Sequence, residues 1–137
     1  MTSIRLARPG EAEILLALWR AAGSSPSVTD TVQDVSAVIA RPDSVVLVAE
    51  SGDRIVGSLI AAWDGWRGNM YRLAVLPEHR RAGIANALVR EGERRLRELG
   101  AQRLAAIVLT EEPIAAAFWE QAGYSRQVEA ERFMKMI

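Results

Sequence analysis

Apolar and polar residues alternate along the first part of the chain in patterns that change between helix and strand. Helical spacing over residues 11–22 predicts a first helix, and Thr29 or Asp30 is suited to cap a second helix that Pro42 ends. Short apolar runs bounded by turn residues predict four strands, at residues 3–7, 45–49, 55–63 and 70–76. Because only turn residues separate the last three strands, we expect them to form an antiparallel meander.

The pattern changes after residue 76 to that of a strand–helix–strand unit. A long helix is predicted to open at residues 77–83 and to end at Leu99, and an apolar run follows at residues 104–109. A helix of this length can cross over the sheet. The run at 104–109 is therefore predicted to pair in parallel with residues 70–76.

The end of the chain continues with one more helix and further strand-like residues. A fourth helix is predicted at residues 113–122, and residues 124–137 are predicted to form one or two final strands. Together these elements predict the α/β fold class. We expect a single domain over residues 1–137, with a central mixed β-sheet and about four helices on both of its faces.

Composition narrows the possible functions. The 137 residues suit one domain, and Lys plus Arg equal Asp plus Glu at 17 each, which argues against a nucleic-acid partner. The chain has no cysteine and His79 is its only histidine, so disulfides, a Cys nucleophile and a metal site are not expected. No apolar run approaches the roughly 18 residues of a membrane span, and the N-terminus lacks a signal-peptide pattern. We therefore expect a cytoplasmic protein with no membrane partner.

The segment after residue 76 has features of an anion-binding site. Arg80, Arg81 and Gly83 precede a helix whose first N–H groups have no partner within the helix and lie at the positive end of its dipole. Glycine lets the backbone approach a ligand, so this segment predicts a site for phosphate or pyrophosphate. An ordinary strand-to-helix loop with solvated arginines is the alternative. The sequence contains no P-loop, no Gly-x-Gly-x-x-Gly dinucleotide motif and no Gly-x-Ser-x-Gly elbow.

Two motifs resemble those of a known enzyme family. The run LAVLPEHRRAGIA at residues 73–85 resembles motif A of the GCN5-related N-acetyltransferases (GNAT), whose pyrophosphate loop is Gln/Arg-x-x-Gly-x-Gly/Ala. The run AAAFWEQAGY at residues 115–124 resembles motif B of the same family. The resemblance extends over essentially the whole chain. It implies the GNAT fold and transfer of an acetyl group from acetyl-CoA, the co-substrate, to a primary amine.

The resemblance also implies roles for individual residues. Pantetheine would run between the two parallel strands and pair with the backbone of Leu73, Ala74 and Val75, and the Val75 N–H would polarise the thioester carbonyl. Trp119 would lie near the sulfur of CoA. The pyrophosphate would be held by the loop and the first turn of the helix, namely Arg80, Arg81, Ala82, Gly83, Ile84, Ala85 and Asn86.

The family's usual acid and base are missing from this sequence. The motif B tyrosine that often protonates the leaving thiolate is replaced by Trp119, whose indole cannot act as an acid near neutral pH. Glu112 replaces a common asparagine, and Ile107 stands where the family can have a glutamate base. Tyr71 or a bound water is the candidate substitute. The simpler interpretations are that Tyr71 is a half-buried strand aromatic and that Trp119 packs in the core.

The sequence thus predicts an N-acetyltransferase that moves an acetyl group from acetyl-CoA to a primary amine. The acceptor is an unidentified small molecule or peptide, attacking directly in a ternary complex. The missing tyrosine leaves an alternative open, an acyl-CoA-binding sensor or interaction module with little turnover. Trp63 and Trp66 flank the turn at residues 64–65, where both cannot easily be buried. We expect one of them to line an acceptor pocket or the interface of a homodimer.

Overall fold

The computed structural model describes residues 1–108 and 113–137, which fall into two compact units, Met1–Ile107 and Val108–Ile137. Within the described residues, the second unit contains helix α4 (Pro113–Gln121). The first unit contains, in chain order, β1 (Thr2–Leu6), α1 (Ala12–Ala22), α2 (Val32–Ala40), β2 (Val45–Ser51), β3 (Arg54–Trp63), β4 (Gly68–Val75), a 3₁₀ turn (Pro77–His79), α3 (Ile84–Leu99) and β5 (Leu104–Ala106).

The five strands form one mixed sheet in the order β1-β2-β3-β4-β5. The first four strands pair antiparallel with their neighbours, and β4 pairs in parallel with β5. Helix α3 supplies the crossover between the two parallel strands, as a parallel connection requires. The predicted meander, the parallel pair and the mixed sheet are therefore confirmed.

Helices α1 and α3 cover opposite faces of β3, because successive side chains of a strand point to opposite sides of the sheet. On one face, Ser58 of β3 accepts a hydrogen bond of 2.9 Å from the indole of Trp19 in α1. On the other face, a Cβ on Gly92 of α3 would lie 2.9 Å from Cδ2 of Leu59. Glycine at position 92 therefore allows α3 to approach the sheet closely.

The core of the first unit is aliphatic. Its largest fully buried side chains include Leu15, Leu47, Leu59, Leu88 and Leu96. Burying each such side chain contributes roughly 1.5–3 kcal/mol relative to leaving it in water. In the described part of the chain, no helix combines the length and the apolar character needed to cross a membrane.

Helix α2 is capped by Thr31 rather than by Thr29 or Asp30, so that prediction was wrong. Thr31 Oγ1 accepts a hydrogen bond of 3.0 Å from the N–H of Asp34, which satisfies one of the N–H groups at the start of the helix. Asp30 is occupied elsewhere, because its Oδ2 accepts a hydrogen bond of 3.2 Å from the N–H of Ser27.

Helix α3 begins at Ile84. The apolar pattern predicted an earlier start, within residues 77–83. Residues 77–79 form the 3₁₀ turn, and Arg81 and Gly83 have φ of 63° and 80°. Left-handed residues of this kind cannot continue a right-handed helix. The predicted loop with Arg80, Arg81 and Gly83 feeding into a helix is therefore confirmed, whereas the predicted first residue of the helix was too early.

The predictions for the chain after β5 were wrong in part. The strand predicted at residues 104–109 ends at Ala106, and Leu109 and Glu112 lie outside the described residues. The described residues 124–137 contain no strand. Their apolar side chains are exposed, including Phe133, Met134, Met136 and Ile137. Alternating polarity produces a strand only where another strand pairs its backbone, which a local pattern cannot guarantee.

Candidate functional site

Strand β4 contains a bulge that overlaps the start of residues 73–75, the segment predicted to pair with pantetheine. The register pairs Ser58 with Ala74 and Ile60 with Tyr71, so two residues of β4 stand opposite one residue of β3. One of the two, Arg72, has φ of 54°, in the left-handed region. A bulge bends its strand and interrupts the ladder locally. The backbone immediately before Leu73 therefore departs from regular sheet pairing.

The parallel pair next to the bulge is short. Over the described residues, β4 and β5 pair only from Gly68–Leu104 to Met70–Ala106. Strand β4 continues to Val75 along β3, past the last residue paired with β5. In the described part of the chain, β5 therefore does not pair with residues 71–75 of β4. A ligand that lies along this edge of β4 requires that edge to be unpaired.

The loop after β4 has the backbone conformation of an anion-binding segment. Gly83 is the N-cap residue of α3 and has no side-chain cap, and the first turn of α3 contains no acidic residue. A Cβ on Gly83 would meet no described atom within 4 Å, so the space outside this residue is open. The first N–H groups of α3 lie at the positive end of the helix dipole. This end of α3 therefore fits a pyrophosphate.

The two arginines of this loop differ in their contacts. Arg80 donates from Nε to the carbonyl of Val75 (3.0 Å) and from Nη2 to the carbonyl of Ala22 at the end of α1 (2.8 Å). Its guanidinium thus fastens β4 to α1. Within residues 1–108 and 113–137, the exposed side chain of Arg81 makes no hydrogen bond or ion pair. Arg81 is accordingly the better candidate of the two for a bound phosphate.

The remaining predicted site residues fall in both units. Leu73 is the second residue of the bulge, Ala74 and Val75 follow it, and Tyr71 precedes it with 42% of its surface exposed. Trp119 belongs to the second unit, where its ring contacts the rings of Phe118 and Tyr124 edge to face, with centroids 5.5 Å and 4.9 Å apart. These ring contacts agree with the packing interpretation of Trp119. Its predicted position near the sulfur of CoA remains a prediction.

Trp63 and Trp66 line a cleft at the other end of β4. The cleft has a volume of about 450 Å³ and is also lined by Arg67, Leu99 and Arg103, among others. Trp66 is 69% exposed, and the guanidinium carbon of Arg67 lies 3.7 Å from the centroid of its ring. One tryptophan at this turn is thus largely exposed. The expectation of an acceptor pocket or a dimer interface here remains a prediction.

A buried polar network behind the bulge was missed from the sequence. Trp19 Nε1 donates to Ser58 Oγ, and Ser58 Oγ donates to the carbonyl of Arg72, both at 2.9 Å. Ser58 is fully buried in the strand that pairs with β4. The available signal was a lone hydroxyl in the apolar run at residues 55–62, because a polar group that is buried must find a partner.

Comparison with known proteins gives both a family and a fold. The family model for GNAT acetyltransferases matches residues 12–124. An acetyltransferase of Pectobacterium atrosepticum is 31% identical over 121 residues, covering 88% of this chain and 86% of that protein.

Solved structures agree with this fold. An aminoglycoside antibiotic 6′-N-acetyltransferase of Acinetobacter haemolyticus has a TM-score of 0.81 at 23% identity, over 98% of this chain and 99% of that one. The aminoglycoside N-acetyltransferase AAC(6′)-Iy, bound to a CoA-containing bisubstrate analogue, has a TM-score of 0.81 at 16% identity, over 100% and 99%. At these identities the structures support the fold alone. With the family match and the Pectobacterium relative, they lead to one conclusion: the chain belongs to the GNAT family of acetyltransferases.

Proposed function

We propose that this acetyltransferase moves an acetyl group from acetyl-CoA to a primary amine of a small molecule or peptide, by direct attack in a ternary complex. The observation that carries the proposal is the continuous segment of residues 71–86. It contains a bulged strand edge and, after the 3₁₀ turn and the loop at residues 80–83, the start of a helix that has no side-chain cap. The first part suits an extended amide-containing arm, and the second suits the pyrophosphate at its end.

Different parts of this segment are proposed to hold different parts of acetyl-CoA. The backbone of Leu73, Ala74 and Val75 lies on the edge of β4 beyond its pairing with β5 and would hold the pantetheine amides. Arg80 donates a hydrogen bond to the carbonyl of Val75, and this bond helps to fix the end of β4. The N–H of Val75 is the proposed donor to the thioester oxygen, where negative charge develops during attack.

The loop after β4 is proposed to hold the pyrophosphate. Backbone N–H groups from Ala82 to Asn86 and the guanidinium of Arg81 are the donors. Gly83 leaves room outside the loop because it has no side chain. A helix start with no acidic residue in its first turn adds no charge repulsion to the site.

The proton transfers need few groups from the protein. Acetyl-CoA supplies an activated acetyl group, and CoA leaves as a thiolate when the C–S bond breaks; a free thiol has a pKa of about 8.5. The amine must lose a proton to attack, and the hydroxyl of Tyr71, next to the bulge, is proposed to relay it by accepting this proton while it passes its own proton to water or to the leaving thiolate. Trp119 contributes no acid, because an indole N–H does not titrate in the working range.

A panel of amines tests the proposal. Acetyl-CoA is supplied with aminoglycosides, polyamines and peptides with free amino groups, and each product is weighed by mass spectrometry. The proposal expects at least one acetylated amine. The aminoglycosides are included because two structures of the same fold belong to aminoglycoside acetyltransferases. Binding of acetyl-CoA with no acetylated product would instead support the sensor, and the absence of any shift in melting temperature with CoA would contradict both.

The substitution Trp119→Tyr separates the enzyme from the sensor further. It supplies an ionisable hydroxyl but removes ring volume, which is expected to cost on the order of 1–3 kcal/mol of stability. We expect a folded, less stable protein with at most a modest gain in turnover. A gain of a hundredfold or more, the usual contribution of a general acid, would mean that the natural chain is limited by its missing acid and would favour the sensor.

A further inference from the structure

Arg72 reaches from the bulge of β4 to the connection between α1 and α2, which we call the α1–α2 loop (residues 23–31). Its Nη1 donates to the carbonyl of Ser25 at 2.9 Å, and its Nη2 donates to Oδ1 of Asp30 at 2.6 Å. The side chains of Arg72 and Asp30 are only 19% and 20% exposed. This ion pair is therefore shielded from water better than most surface pairs.

The backbone of Arg72 is fixed at the same time as its side chain. Its carbonyl accepts the hydrogen bond from Ser58, which is itself held by the indole of Trp19. The guanidinium carbon also lies 4.9 Å from the centroid of the Trp19 ring. One residue with a left-handed backbone therefore ties together the bulge, the neighbouring strand, α1 and the α1–α2 loop.

Asp30 is the acceptor for Arg72, and we call this pair and its hydrogen bonds the clamp. One carboxylate oxygen accepts from Arg72, and the other accepts from the N–H of Ser27 within the loop. The carboxylate thereby joins the backbone of the loop to β4. A second arginine fastens the start of the loop, since Arg80 donates to the carbonyl of Ala22, the last residue of α1.

We infer that Arg72 is a positioning residue for the acceptor, because it fixes the α1–α2 loop beside the place where the amine attacks. The inference rests on the proposed function, which puts the acetyl group next to residues 73–75. An amine must come within about 3–3.5 Å of the acetyl carbon to react. The loop contacts Arg72, the residue immediately before that position, and so forms one wall of the space that the amine enters.

Three variants release the clamp to different degrees. Asp30→Ala removes the acceptor and leaves the bulge residue unchanged. Arg72→Lys keeps the charge but loses the two-pronged guanidinium. Asp30→Asn keeps an oxygen acceptor without the charge and is expected to behave between the wild type and Asp30→Ala. The matched control is Asp43→Ala, which removes a carboxylate bound by an arginine in an exposed pair that does not involve β4.

Hydrogen exchange tests the clamp without any need for turnover. In Asp30→Ala and Arg72→Lys, the amides of residues 23–31 are expected to exchange faster than in the wild type, while the control leaves them unchanged. Melting temperature shows that each variant is folded. Unchanged exchange of the loop in both variants would overturn the inference.

Kinetics with the best amine of the panel test the consequence for the acceptor. We expect the KM for the amine to rise about tenfold in Asp30→Ala and Arg72→Lys, as for loss of a charged hydrogen bond, with the KM for acetyl-CoA unchanged. An unchanged KM for the amine, or an equal rise for both substrates, would also overturn it. If the wild type acetylated no amine, the proposed function would fail and this role would fail with it, whereas the exchange experiment would still report on the clamp.

Discussion

Two loops contact β4, and they are held in place by different means. The loop at residues 80–83 takes its shape from its own backbone, with Arg81 and Gly83 in the left-handed region and no side-chain cap on α3. The α1–α2 loop is held by side chains from outside it. Arg72 donates to the carboxylate of Asp30 and to the carbonyl of Ser25, and Arg80 donates to the carbonyl of Ala22, just before the loop. The backbone conformation of the first loop is local in origin, although Arg80 also bonds that loop to the end of α1, whereas the second loop is held to β4 by contacts between distant parts of the chain.

Because the two loops are held in place by different contacts, substitutions are expected to affect them in different ways. A change at Gly83, the left-handed glycine of the first loop, is expected to alter the proposed pyrophosphate site directly and to leave the sheet in place. A change in the clamp alters the second loop through residues that are more than forty positions away along the chain. Substitutions in and near each loop test this difference.

Gly83→Glu should have the largest effect on ligand binding. The new side chain places a negative charge beside the proposed pyrophosphate and forces a non-glycine residue to adopt φ of 80°. We expect the affinity for acetyl-CoA, measured by calorimetry, to fall tenfold or more, which corresponds to about 1.4 kcal/mol.

Two controls separate the charge from the backbone strain. Gly83→Ala introduces the strain alone, since its Cβ would meet no described atom within 4 Å. Gly52→Glu introduces both at another left-handed glycine, in the β2–β3 turn, with φ of 64°. Binding as tight in folded Gly83→Glu as in Gly52→Glu would rule out the proposed pyrophosphate site.

Ser58→Ala should destabilise the bulge from within the protein. It leaves the buried N–H of Trp19 without its acceptor and the carbonyl of Arg72 without its donor. We expect a loss of about 1–3 kcal/mol in the free energy of unfolding, measured with denaturant. The control is Ser44→Ala, because the buried Oγ of Ser44 has no partner among the described residues and its removal should cost little. Equal losses in the two variants would contradict the role of the network.

Tyr71→Phe tests the one ionisable side chain proposed for proton transfer. The residue is 42% exposed, so water can reach the same position and replace part of its function. We expect turnover with the best amine to fall about tenfold, less than the usual 10²–10⁴-fold for loss of an acid or base, with stability unchanged. Turnover equal to that of the wild type would remove Tyr71 from the mechanism.

Arg81→Ala and Arg80→Ala sharpen the contrast between the loops. Arg81 is expected to contribute to phosphate binding from an exposed position, so its loss should weaken acetyl-CoA binding by about two- to fivefold. Arg80 is bound to two protein carbonyls, so its loss should lower the melting temperature more than the affinity. The reverse order of effects on affinity would show that Arg80 is the phosphate ligand.

Glu91→Gln should have the smallest effect of these substitutions. It measures how much a charged side chain away from both loops contributes to the free energy of unfolding. Hydrogen bonds from Arg94 and Arg95 lower the pKa of Glu91 to about 2. The carboxylate therefore stabilises the fold above pH 4.5, and this contribution is lost as the pH falls from 4.5 towards 2. We expect a loss of about 0.3–0.5 kcal/mol at pH 7, measured by denaturation, that disappears near pH 2. A difference that persisted at low pH would point to packing instead of charge.

The pattern of the sequence predicted the helices, the meander and the parallel crossover because each depends on local spacing. The position of the loop at residues 80–83 was also predictable, since Arg80, Arg81 and Gly83 are close together and a left-handed backbone at glycine has a local cause. The first residue of α3 was placed too early, because apolar spacing does not report the left-handed backbone at Arg81.

The bulge and its clamp could not be predicted in the same way. A bulge depends on the register between β3 and β4, and the partners of Arg72 come from three other parts of the chain. A buried serine in an apolar strand indicates that some partner exists but not which one. The final strands were predicted wrongly for a related reason, since alternation cannot supply the strand that would pair with residues 124–137.

Hydrogen exchange with and without acetyl-CoA shows whether acetyl-CoA lies along the end of β4 and the start of α3, as proposed. We expect slower exchange of the amides at residues 73–75 and 82–86 when acetyl-CoA is added, and no slowing in Gly83→Glu at the same concentration. Slowing confined to other residues, such as those of the cleft at Trp63 and Arg103, or no slowing at residues 73–86, would contradict it.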